Sequence, residues 1–132
     1  MSTKRRQARE FALQILYQSE TLSKPPWEVV PQFFQNNPGP AEIAEYAKAL
    51  ACGVGENKSA LDQAIAKASE HWKVSRMSEV DRNILRIAAY EMLYRDDIPR
   101  EVCMDEAIEI AKKYGTEDSP AFVNGVLDHI IK

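Results

Sequence analysis

Apolar residues recur along most of this chain at intervals of three and four, the spacing that lines up side chains on one face of an α-helix. Ala8, Phe11, Ala12, Ile15 and Leu16 predict a first helix, with Ser2 or Thr3 as its cap. Arg5, Arg6 and Arg9 fall on one flank of that stripe, and Leu13 and Tyr17 continue the flank toward its C-terminal end. The stretch SKPPWEVVPQFFQNNPGPAE holds five prolines, which break the chain around one short helix from Trp27 to Asn36. In that helix Trp27, Val30, Phe33 and Phe34 are expected to face the core. A third helix is predicted from Ala41 to Gly53 through Ile43, Ala47, Leu50 and Ala51, and a fourth from Asn57 to Trp72 through Leu61, Ala64, Ile65 and Ala68.

MSEVDRNILRIAAYEMLYR carries the broadest apolar arc: Val80, Ile84, Leu85, Ile87, Ala88, Met92 and Leu93. Such an arc suits a helix covered on several sides, so this fifth helix is expected to be central. Ser78 with Asp81 three residues on has the form of a capping box. Asp96-Asp97-Ile98-Pro99 ends the helix. A sixth follows from Arg100 to Tyr114, with Lys112 and Lys113 at its negative end and Gly115 expected as a left-handed cap. Ser119 as N-cap and Pro120 as first helical residue open a seventh. No period-two alternation competes with these helices, and five glycines are few for an all-β protein. The expected fold is all-α, about seven helices in a single domain spanning 1–132.

Composition changes this picture little. The chain is 45% hydrophobic and 28% charged, ordinary for a globular protein and unlike a disordered one. No apolar run reaches the ~20 residues of a membrane span, and the charged start is unlike a secretory signal. Cys52 and Cys103 have no metal-ligand or disulfide spacing and are expected to be buried and reduced, as in a cytoplasmic protein.

Charge changes it more. Residues 1–9 hold four cations and no anion, while the whole chain has a net charge of −3, so the other 123 residues sum to −7. Cations at a helix start oppose the macrodipole, so helix stability does not explain Arg5 and Arg6, whereas an anionic partner would. Arginine forms paired bonds to phosphate and stacks on bases, and Tyr17 is either a stacking platform or a residue at the boundary of the core. The plainer alternative is a solvated start that only aids solubility. The acidic remainder suits a basic partner.

No catalytic or cofactor constellation is present. Phosphate loops, dinucleotide fingerprints and HExxH are all missing, His71 and His129 are far apart, and Glu106 with Glu109 lacks a partner histidine. A binding role without metal or cofactor is expected.

RRQARE…ALQILYQSE, SEVDRNILRIAAYEMLYRDDIP and DEAIEIAKKYGTEDSPAFVNGVLDHI together resemble the NusB family of transcription antitermination factors. The likeness spans nearly the whole chain and weakens between Thr21 and Ala41. It implies an all-helical, non-catalytic protein that pairs with NusE, a ribosomal small-subunit protein. Together the two would bind boxA RNA of ribosomal RNA leaders within the RNA polymerase antitermination complex. The family's arginine-rich start carries an RNA-binding role onto Arg5, Arg6 and Arg9, with Lys4 contributing. Gln7 stands where many relatives are basic, which implies lower RNA affinity. Tyr17, Phe122 and Asp118 carry over as RNA-proximal residues; the alternatives are core packing for Phe122 and a dipole-stabilising anion for Asp118. Asp81 carries over as the contact to NusE, with the capping box as its alternative, and Arg82 and Arg86 would flank that interface or pair with Glu79 and nearby acids. Two other expectations remain: a homo-oligomer, homodimer included, that hides the basic edge, and a role in ribosome assembly. NusB-like domains also occur fused to RNA cytosine methyltransferases, but 132 residues leave no room for such a catalytic domain.

Overall fold

The structure is a computed structural model that describes residues 3–70 and 72–130. Those residues form seven α-helices and no strand: α1 (Thr3–Leu22), α2 (Pro26–Asn36), α3 (Ala41–Glu56), α4 (Lys58–Ser69), α5 (Glu79–Tyr94), α6 (Arg100–Tyr114) and α7 (Ser119–Asp128). A single 3-10 turn, Val74–Arg76, precedes α5. The fold is all-α, and each predicted helix is present. The chain divides into two compact units, Met1–Glu56 and Asn57–Lys132.

In the first unit α1 packs chiefly on α3, and α2 closes over both. Ala8, Ala12, Ile15 and Leu16 are buried, as the periodicity predicts. Phe11, Phe33 and Phe34 meet edge to face, with ring centroids 5.1–6.0 Å apart, and tie α1 to α2. Such pairs are worth about 0.5–1.5 kcal/mol beyond the area they bury. Trp27 does not face the core: it is half exposed, and Val29 and Pro26 are buried beside Val30 and Phe33 instead. The helix begins one residue earlier than the pattern suggested, with Pro26 in its first turn, and Pro26 packs so tightly on Gly55 that a Cβ there would fall 2.8 Å from the ring. The glycine thus lets α2 and α3 close.

In the second unit α5 is central, flanked by α4, α6 and α7. Its buried residues run from Asn83 through Ala89 and on to Glu91 and Met92, which accounts for the breadth of its apolar arc. Ser78 caps it as predicted, its Oγ accepting from the Asp81 amide at 3.0 Å. α4 ends at Ser69, three residues before the expected Trp72, because Glu70 turns the chain with a left-handed φ of 45°.

Two boundary expectations need correction. Gly115 is no left-handed cap, since its φ is −92° and ψ −166°. Its value is room: a Cβ there would collide with the Ser119 side chain and lie 2.9 Å from the Ala111 carbonyl. Ser119 is the first residue of α7 rather than its cap; Asp118 holds that position, and the buried Ser119 hydroxyl accepts from the Thr116 amide at 2.9 Å. At the far end of α7, Arg100 donates to the carbonyls of Leu127, Asp128 and Ile130 at 2.8–3.1 Å. The predicted Ser2 cap and His71 lie outside the described residues, and Thr3 is already helical. Cys103 is buried and Cys52 half-buried, neither is in a disulfide among the described residues, and burial pushes the Cys52 thiol up.

Candidate nucleic-acid interface

The first turn of α1 holds Lys4, Arg5 and Arg6 and no acid. Lys4 is exposed, Arg5 and Arg6 half-buried. The Lys4 ammonium lies 3.1 Å from Glu42 on α3, with more than half of each side chain open to solvent. Exposed pairs of this kind contribute at most about 1 kcal/mol, so water and salt compete with it readily. The Arg5 guanidinium carbon stands 4.6 Å from the ring centroid of Tyr46, also on α3. A guanidinium over an aromatic face is attracted by the ring's quadrupole, which holds Arg5 near Tyr46. A shallow pocket of about 280 Å³ opens there, lined by Lys4, Arg5, Glu42, Glu45, Tyr46 and Ala49.

Arg9 departs from expectation. It is 1% exposed, its guanidinium carbon 5.9 Å from the same Tyr46 ring, so it lies beneath the basic edge instead of on it. Leu13, one turn further on, is buried as well, which widens the inward arc of α1 beyond the stripe read from the sequence. The exposed cationic edge is therefore Lys4, Arg5 and Arg6. Tyr17, at 47% exposure, is not a core residue and offers an open ring.

In the second unit Asp118 is exposed and makes no capping hydrogen bond, although it occupies the N-cap of α7. Phe122 is one turn on, its amide bonded to the Asp118 carbonyl at 3.1 Å. It is only half-buried, and its ring meets that of the exposed Trp72 at 5.8 Å and 76°.

The residues expected at a protein interface separate. The Asp81 amide is bound by Ser78, while its carboxylate Oδ1 is buried and has no hydrogen-bond partner. A buried acceptor in that state costs roughly 1–3 kcal/mol. Arg82 donates to the Met77 carbonyl at 2.7 Å and lies 3.9 Å from Glu79. Arg86 is not presented to a partner at all. It is 5% exposed and grips Asp62 of α4 through two bonds of 2.7 and 2.9 Å, with a third to Asn83 at 3.0 Å. Its work is internal, and the acid it pairs with is Asp62, not Glu79.

Tyr46, Glu42 and Trp72 were not singled out in the sequence. Tyr46 lies off the Ile43/Ala47/Leu50 stripe and only the fold brings it under Arg5. Trp72 reads as the last residue of a helix, although an aromatic followed by Lys73 and Arg76 is itself a pattern suited to nucleic acid. Among the described residues no three His, Cys, Asp or Glu gather as a metal site, and no helix is long and apolar enough to cross a membrane.

Residues 6–132 match the family model described as the NusB family. The chain is 49% identical over 127 residues to the transcription antitermination protein NusB of Desulfatibacillum aliphaticivorans, covering 96% of this chain and 89% of that protein. It is 49% identical over 131 residues to the protein of the same name from Bdellovibrio bacteriovorus, covering 98% and 96%. A solved structure of T. maritima NusB superposes with a TM-score of 0.88 at 42% identity, covering 98% of this chain and 92% of that one. A solved complex of antitermination factors NusB and NusE with dsRNA contains a chain that matches with the same score at 27% identity, covering 98% and 97%.

Proposed function

The chain belongs to the NusB family, and from that premise we propose that it is an RNA-binding transcription antitermination factor, non-catalytic and cytoplasmic. It pairs with NusE and, as part of the RNA polymerase antitermination complex, binds boxA-type RNA of ribosomal RNA leaders. The observation that carries this reading is the start of α1, where Lys4, Arg5 and Arg6 cluster without an acid in the turn. The helix dipole disfavours cations there, and a phosphate backbone favours them.

Each residue then has a task. Arg5 and Arg6 hold phosphates with their in-plane donors, while Tyr46 keeps the Arg5 plane in place from beneath. Lys4 exchanges Glu42 for phosphate when RNA arrives, and Arg9 adds positive potential from one turn deeper. Tyr17, Asp118 and Phe122 contribute contacts to nucleotides. Asp81 meets a basic side chain of NusE, supported by its buried Oδ1 still lacking a donor, and Arg82 borders that contact.

The test is titration of boxA RNA into the protein with and without NusE. Losing two phosphate contacts in Arg5→Ala/Arg6→Ala should flatten the salt dependence on single-stranded RNA by about 1.4 in log–log slope. Asp81→Lys should abolish the gain in affinity that NusE brings. An unchanged slope and affinity in the arginine variant would remove the basic edge from the mechanism.

A further inference from the structure

Trp72 is the most exposed large apolar side chain among the described residues, with 56% of its surface open. An indole in water gains nothing from that position. Its backbone, by contrast, is tightly held. The buried Ser69 donates its hydroxyl to the Trp72 carbonyl at 2.8 Å. Glu70, just before, adopts a φ of 45°, a conformation that costs a non-glycine residue about 1–2 kcal/mol. The ring therefore stands in solvent on an ordered stretch of backbone.

The ring's geometry suggests its use. Trp72 and Phe122 stand at 76° with centroids 5.8 Å apart, so the edge of one meets the face of the other. The two form a corner, in which a flat group laid on one ring abuts the second. Asp118, on the same face of α7 as Phe122, adds a carboxylate that the helix does not use as a cap. With Glu117 also exposed beside it, the local charge on α7 repels phosphate. Exposed Lys73 and Arg76 follow Trp72 and suit a phosphate, while the two aromatic faces with the Asp118 acceptor match a base.

We propose that Trp72 and Phe122 form a base-stacking corner that takes one unpaired nucleobase bearing an exocyclic amino group, whose N–H donates to Asp118. This rests on the RNA-binding reading above and deepens it by giving the second unit a base to read. Trp72 is the residue that this adds.

Trp72 and Trp27 are the only two tryptophans, so Trp27→Phe makes Trp72 the sole reporter on this chain. Single-stranded boxA RNA added to that variant with NusE should quench its emission, measured against Trp27→Phe/Trp72→Phe as blank. Trp72→Leu should weaken RNA binding by about tenfold, with the salt slope unchanged because no phosphate contact is lost. Trp72→Phe should retain most of the affinity. Wild-type affinity in Trp72→Leu, or unquenched Trp72 at saturating RNA, overturns the corner. Loss of NusE binding with RNA binding intact also overturns it, making the corner a protein contact. If Trp72→Leu fails to fold, the quenching result decides alone. Wild-type protein that binds no RNA would sink the broader reading, whereas an effect of the arginine variant without one at Trp72 sinks only this inference.

Discussion

Arg86 of α5 and Arg5 of α1 show one side chain in two opposed settings. Arg86 is sealed in its unit: both oxygens of Asp62 and one of Asn83 take up its donors, and 5% of the residue remains exposed. Arg5 is half-buried and rests its guanidinium on the Tyr46 ring. A carboxylate uses the edge of a guanidinium, where the N–H groups are; an aromatic ring uses its face. The first arrangement builds a fold. The second orders a cation against an aromatic ring at the margin of the unit, without sealing it from solvent. Arginine content by itself therefore says little about binding; the partner of each guanidinium decides.

Substitutions can break that contrast, beginning where the effect should be greatest. Arg86→Ala strands Asp62 and should lower unfolding free energy by roughly 2–4 kcal/mol in urea titration, somewhat less than for a fully buried pair because Asp62 is 28% exposed. RNA affinity of the folded protein should not change. Tyr46→Leu removes the ring beneath both Arg5 and Arg9 and should cost about 1–2 kcal/mol. It should also weaken RNA binding without altering the number of cations, which separates ordering of Arg5 from its charge. Arg5→Gln/Arg6→Gln should lower stability by less than about 1 kcal/mol, because relief of two charges that oppose the α1 dipole offsets much of the lost Arg5–Tyr46 contact. A marked loss of stability in that variant would mean the rim is structural after all, like Arg86.

The helices were legible from the sequence because each carries its own period and several carry their own stop or start signals. Ser78 caps α5, and the prolines from Pro25 to Pro40 bracket α2. What was not legible depends on partners distant in sequence. Arg9 counts as a surface cation until α3 places Tyr46 against it, and Trp27 counts as core until Pro26 takes the inner position against Gly55. Gly115 invited a conformational explanation where the real constraint is steric, from Ser119 four residues on. The candidate site was half legible. A cluster of cations in nine residues stands out by composition, but the division between a half-buried pair and a buried neighbour does not, and Trp72 was hidden by being taken for the end of a helix that stops at Ser69.

The clasp made by Arg100 has a mechanical consequence. By bonding three carbonyls at the far end of α7 from the first turn of α6, it closes residues 100 to 130 into a ring, in addition to the packing of α6 on α7. A helix left to itself unravels from its tail one residue at a time, but here each step of that fraying also gives up a charge-assisted bond to Arg100. The end of α7 away from Asp118 and Phe122 is thereby anchored to α6.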